Sequence, residues 1–181
     1  MPRIVPVEHE QTQGEARLVF DEGLAKYGRM TNMKRTLMHS LPAYHALMEW
    51  YPLFDAIKAF VGERSAVIFA HAISSQSDCL ICTTFMRRLL INAGEDPGHL
   101  KLDDKEQVLV DFGRAIVGPG NRAPADIYAR LAGLFDARQI VELTAFASLM
   151  VATNLINNAL EVDLDEYLYD FRAGNPLPKK G

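Results

Sequence analysis

The 181-residue chain holds two cysteines, and they stand three positions apart in Cys79-Leu80-Ile81-Cys82. On a helix, positions i and i+3 lie roughly 5–6 Å apart at Cβ, so modest rearrangement joins the sulfurs. The chemistry open to such a pair is thiol–disulfide exchange. A thiolate attacks an electrophilic oxygen or sulfur, the other thiol displaces it, and an external reductant reopens the disulfide. The polar run Ser74-Ser75-Gln76-Ser77-Asp78 is a turn with several capping side chains, which makes the pair open a helix. Backbone N–H groups and the helix dipole favour a thiolate there, whereas Asp78 opposes it by placing negative charge beside the first sulfur.

Other chemistries fit these residues less well. A four-ligand zinc site needs two ligands beyond the cysteines, and His9, His39, His45, His71 and His99 are scattered. No Gly-x-Ser-x-Gly motif marks a serine nucleophile. We therefore expect neither metal nor other cofactor. The bland alternative is two small apolar residues packed in a core.

The elements that must position the dithiol read as helices almost throughout. Thr12 to Glu15 has capping-box spacing, and Ala16, Phe20, Leu24 and Tyr27 recur at helical intervals until Gly28. A short helix is expected over 33–39, another from about Pro42, and Pro52 must break or restart it. The stretch 64–75 is apolar on most sides. Helical periodicity resumes from Cys79 to Ala93 and ends at Gly94. Asp103 to Glu106 opens another helix, Pro124 a further one, and Asp136 to Gln139 caps a long apolar helix that we expect to be central and buried. No strand-type alternation with hairpin turns occurs, so the expected class is all-α. The organisation is one domain: a helical part over about 1–62, a dithiol core at 63–100, further helices at 101–172 and a tail at 173–181.

Composition narrows the functions. Hydrophobic residues make up 49% of the chain and charged residues 23%, an ordinary globular balance that needs no disulfide staples at this length. With a net charge of −4, and Lys34-Arg35, Arg87-Arg88 and Lys179-Lys180 as isolated pairs read as solvated, no stripe exists to track phosphates. Nucleic acid is not an expected partner. Neither is a membrane, because the uncharged stretch 143–159 contains Asn154, Asn157 and Asn158, which are costly in lipid. The N-terminus has no apolar run long enough for a signal sequence, so we expect a cytoplasmic, reducing setting for the cysteines.

The segment 66–94, centred on Asp78-Cys79-Leu80-Ile81-Cys82, resembles the carboxymuconolactone decarboxylase and alkylhydroperoxidase D (AhpD-like) superfamily. The likeness extends to Glu15-Ala16-Arg17 and to Tyr27 through Asn32, then to Gly94-Glu95-Asp96-Pro97, Phe112-Gly113-Arg114 and the run 149–154. It thus covers most of the chain, in the order of the longer members with extra N- and C-terminal helices. The resemblance implies an AhpD-like helical bundle that assembles as a homo-oligomer, a dimer, trimer or hexamer. It also implies thiol chemistry served by a peroxiredoxin or a dithiol reductant, with the second cysteine, Cys82, as the activated one. The family's proton relay is missing: Met86 stands where its His would be and Val67 where its Glu would be. His71, one turn after Val67, is the candidate replacement base beside Cys79 and Cys82. The expected function is a peroxidase-related or peroxiredoxin-regenerating thiol-disulfide oxidoreductase. The alternative is a non-catalytic oligomer of the same fold that binds a small hydrophobic ligand or senses redox state.

Overall fold

A computed structural model describes residues 1–175; the expected tail lies outside the described residues from 176 onward. Among the described residues there are nine α-helices and no strand. They are α1 (Gly14–Tyr27), α2 (Asn32–Leu37), α3 (Leu41–Met48), α4 (Trp50–Val61), α5 (Glu63–Gln76), α6 (Leu80–Asn92), α7 (Asp104–Val117), α8 (Ala125–Ala132) and α9 (Ala137–Ala159).

The capping chemistry explains most of these boundaries. Ser40 caps α3 with Pro42 in its first turn, and Pro52 sits in the first turn of α4, where its missing N–H costs nothing. Asp103 with Glu106 and Asp136 with Gln139 form reciprocal capping boxes at α7 and α9. The box expected at Thr12 does not form. Gln13 is the N-cap of α1, and the Thr12 hydroxyl donates to the His9 carbonyl while accepting from Arg17. Gly28 ends α1 at φ 73°, a left-handed conformation that glycine adopts without penalty.

α5 is the central post, packed against α4, α6, α7 and α9. Its residues from Ser65 to Ala70 are all buried, as the apolar run requires. α7 crosses it closely at Gly113, where an added Cβ would stand 3.0 Å from the Phe69 ring and 3.1 Å from Ile73. Phe69 and Phe146 extend this core toward α9. A second, smaller cluster joins α1, α2 and α3, and it leans on Leu149, Ala152 and Ile156 of α9.

α9 is long and apolar enough to cross a membrane by length and composition alone, yet it buries Leu143, Phe146, Ala147 and Met150 in the protein core. Within a single copy the helix is covered on one side only: Val141 and Leu155 are 67% and 65% exposed, and Thr144 and Ser148 share that outer stripe.

Candidate dithiol site

The turn between α5 and α6 fixes the dithiol. The Cys79 N–H donates to the Ser74 carbonyl at 3.1 Å and the Asp78 N–H to Ser75 at 3.3 Å, the double closure of a Schellman motif. The left-handed position falls on Asp78, at φ 49°. Cys79 is thereby delivered as the N-cap of α6, and its Sγ accepts the Cys82 backbone N–H at 3.4 Å. A sulfur has taken the place usually held by a Ser or Asp oxygen.

α9 closes the site from the other side. Asn157 Nδ2 lies 3.3 Å from Cys82 Sγ and 3.9 Å from Cys79 Sγ. Asn158 Nδ2 donates to the carbonyl of Ser77 at 3.0 Å and so ties the turn to α9. Both cysteines are free thiols, Cys79 1% and Cys82 7% exposed. The hydrogen bond from the Cys82 thiol, joined by backbone N–H groups and Asn157, holds the Cys79 thiol below its ordinary pKa against the opposing effect of burial. Cys82 is pushed well up, first because it donates to Cys79 and then because it is buried beside that charge. The pair therefore gives up one proton readily and the second with difficulty.

Cys82 also lines a cavity of about 90 Å³, partly open to solvent, at the seam between the two apolar clusters. Trp50, Phe85, Met86 and Met150 form its apolar wall, and Lys34, Asp165 and Thr153 supply polar atoms. The two relay positions are apolar in fact as in sequence, with Val67 and Met86 both buried. His71 is not part of the cavity lining and bonds to neither sulfur. Its Nε2 is buried without a partner, and burial, with Arg87 and Arg114 nearby, lowers its pKa to about 4. Among the described residues, no group of three His, Cys, Asp or Glu side chains is placed to hold a metal ion.

Two contributors escaped the sequence reading. Asn157 was visible as one of three amides in an otherwise apolar helix, a signal for buried polar work that does not say where it points. The sequence presents Lys34 as half of a solvated pair, but it is buried.

No family model and no curated protein matches the sequence. Solved structures do. The AhpD core of an uncharacterized peroxidase-related protein from Ralstonia eutropha JMP134 superposes with a TM-score of 0.74 at 15% identity, covering 93% of this chain and 95% of that one. A cysteine-to-alanine variant of the debrominase Bmp8, in complex with 2,3,4-tribromopyrrole, gives a TM-score of 0.76 at 13% identity over 93% and 94% of the two chains. A putative antioxidant defence protein AhpD from Agrobacterium tumefaciens gives 0.62 at 16% identity over 71% of this chain and 94% of that one. At such identities the likeness speaks for architecture, and the chain has the all-helical fold of the AhpD type.

Proposed function

We propose that the chain is a dithiol oxidoreductase that reduces small apolar organic hydroperoxides at the Cys79/Cys82 pair. The observation that carries this reading is the position of Cys82: the residue lines the apolar cavity, and its Sγ accepts from Asn157 Nδ2 at 3.3 Å beside the more acidic Cys79. Cys79 first loses its proton to solvent, and its thiolate then takes the Cys82 proton along their shared hydrogen bond. This uphill transfer presents the minor but more nucleophilic Cys82 thiolate on the cavity side. That thiolate attacks the outer peroxide oxygen, breaking the O–O bond. Cys82 becomes a sulfenic acid, and the alkoxide leaves as alcohol after taking a proton. The Cys79 thiol then displaces hydroxide from Cys82, water departs, and the Cys79–Cys82 disulfide closes. One hydroperoxide is reduced as two thiols are oxidised, and a small external dithiol restores the pair.

Deep placement of both sulfurs supports a small substrate over a bulky protein disulfide, because a partner protein would have to open the α5–α6 turn to reach them. The debrominase neighbour supports a second electrophile class, halogenated aromatics. Thiolate attack on bromine followed by disulfide closure would yield bromide and a C–H bond with the same two-electron balance. The comparison to make is turnover of cumene hydroperoxide, hydrogen peroxide, a brominated pyrrole and an oxidised peroxiredoxin, each with dithiothreitol as reductant. Preference for cumene hydroperoxide, abolished by Cys82→Ser, is the expected result. No turnover of any of the four contradicts the reading and favours a non-catalytic binder.

The outer stripe of α9 supports a homo-oligomer, since Val141 and Leu155 stand exposed on a helix otherwise built for burial. Light scattering at micromolar concentration should return more than one copy; a monomer defeats this part of the reading.

A further inference from the structure

The Lys34-Arg35 pair divides as α2 meets the core. Arg35 turns outward, its Nη1 2.5 Å from Glu8 Oε2. Lys34 turns inward, 3% exposed, and lines the same cavity as Cys82. Its Nζ lies 3.6 Å from the centroid of the Tyr27 ring and 5.0 Å from that of Tyr51, two rings stacked 4.2 Å apart. Among the described residues the ammonium makes no ion pair and no hydrogen bond. Asp165 is near enough for its charge to be felt but forms no ion pair with Lys34: its Oδ1 accepts the Asn32 backbone N–H at 2.9 Å, and its Oδ2 is buried without a hydrogen-bond partner. Ring faces contribute about 0.5–2 kcal/mol to a cation, well short of the several kcal/mol that burying one costs. An ammonium left in this condition on a cavity wall is complementary to an anion.

We propose that Lys34 is the anion receptor of the cavity, and that its occupant is an amphipathic monoanion whose carboxylate or phenolate meets Lys34 while its apolar body lies against Trp50, Phe85 and Cys82. The proposal narrows the substrate class of the dithiol reading above to hydroperoxides whose apolar body also carries one anionic group, of which neutral cumene hydroperoxide is the apolar part alone. It rests on that reading for the chemistry, though not for binding. Burial lowers the Lys34 pKa to about 8, which leaves the amine mostly protonated at pH 7. Asp165, on the same lining, disfavours a second negative charge on the ligand. About 90 Å³ is on the order of three water volumes, so the apolar body is small, one ring or a short chain that extends toward the open side.

Trp50 is the chain's one tryptophan and lines the cavity, so its fluorescence reports occupancy. Reduced protein at pH 7 is titrated with benzoate against benzamide, and with pentafluorophenolate against pentafluoroaniline, with calorimetry as a second readout. The two arms separate a carboxylate from a phenolate ligand. In at least one arm the anion should bind about tenfold tighter than its neutral counterpart, the scale of one charge-assisted hydrogen bond. Lys34→Met, which keeps side-chain length, should erase that preference while leaving the neutral probe unchanged, and Lys34→Arg should retain part of it. Lys34→Gln replaces the Met variant if melting shows that the latter is misfolded. Equal binding of anion and neutral probe in both arms, no saturable response to any probe, or a preference that survives both uncharged substitutions overturns the proposal. Repeating the titration on the Cys79→Ser/Cys82→Ser protein separates the two readings, because anion binding should persist there without any redox activity.

Discussion

At its N-terminal end α5 carries Arg64 and Ser65 into a cluster in which the polar side chains are hydrogen-bonded to one another. Arg64 donates to Glu95 at 2.6 Å and to Glu106 at 2.5 Å, and the Ser65 hydroxyl adds a bond to Glu106 at 3.1 Å. At its C-terminal end the same helix delivers Ser74 and the dithiol into a cluster that is only half satisfied. There Ser74 Oγ, Asn157 Oδ1, Asp165 Oδ2 and both amide atoms of Asn154 are buried without a protein partner, and the Lys34 ammonium lies on ring faces with no hydrogen bond. A satisfied buried network holds structure together, whereas polar groups kept at a cost mark a place where something binds or reacts. The first cluster should therefore govern stability, and the second reactivity.

The largest break in that contrast should come from Arg64→Met. It leaves Glu106, whose side chain is 4% exposed, as a buried carboxylate without its cation. Denaturant unfolding should show a loss of about 3–5 kcal/mol, toward the lower end because Arg64 is partly solvated, while dithiol alkylation stays unchanged. A variant of unchanged stability would remove the structural role assigned to the network.

Next comes His71, whose buried Nε2 also has no partner and which is faced by Arg87 from α6 and Arg114 from α7. Its pKa falls from 6.5 to about 4 on folding, so between those values the unfolded chain binds a proton that the folded one refuses. Stability is thus unaffected by this group above pH 6.5 and is lost as the pH falls toward 4, by about 2–3 kcal/mol. His71→Leu should flatten that acid limb in pH-dependent melts; an unaltered limb would mean that the imidazole is not held neutral.

Asn157→Leu sharpens the other side of the comparison. It removes the Nδ2 donor from both sulfurs, so alkylation at pH 7 should slow about tenfold while stability moves by less than about 1 kcal/mol. Unchanged alkylation would show that the amide does not stabilise the thiolate. Smallest of all, Asn154→Leu should raise stability by up to about 1 kcal/mol, because it replaces an amide with both polar atoms unpartnered by an apolar group of similar branching. A marked loss there would indicate that the amide is satisfied by ordered water and belongs with the structural cluster.

Much of this arrangement is legible in the amino-acid sequence. Helical periodicity, the boxes at Asp103 and Asp136, and the prolines at the starts of α3 and α4 are local signals read within one turn of chain. The dithiol is local as well, and its helix-opening position followed from the polar run ahead of it. What stayed hidden depends on distant packing. Lys34 and Arg35 are identical in local pattern, and only the seating of α2 over the Tyr27–Tyr51 stack sends one inward and the other to Glu8. Asn157 meets Cys82 across 75 positions, a pairing that no local spacing encodes. Thr12 failed as a cap for a related reason: Arg17 and the His9 carbonyl offered its hydroxyl better partners than the N-terminus of α1 did.

The central claim, a dithiol that ionises once and then closes, is tested most directly by the pH dependence of alkylation at each cysteine, resolved by mass spectrometry before and after one equivalent of cumene hydroperoxide. One thiolate formed below the ordinary thiol pKa of about 8.5, a partner thiol that stays protonated, and a reversible Cys79–Cys82 disulfide after oxidation are the results predicted. Two thiols titrating at or above the ordinary value, and still reduced after the hydroperoxide, would contradict the account.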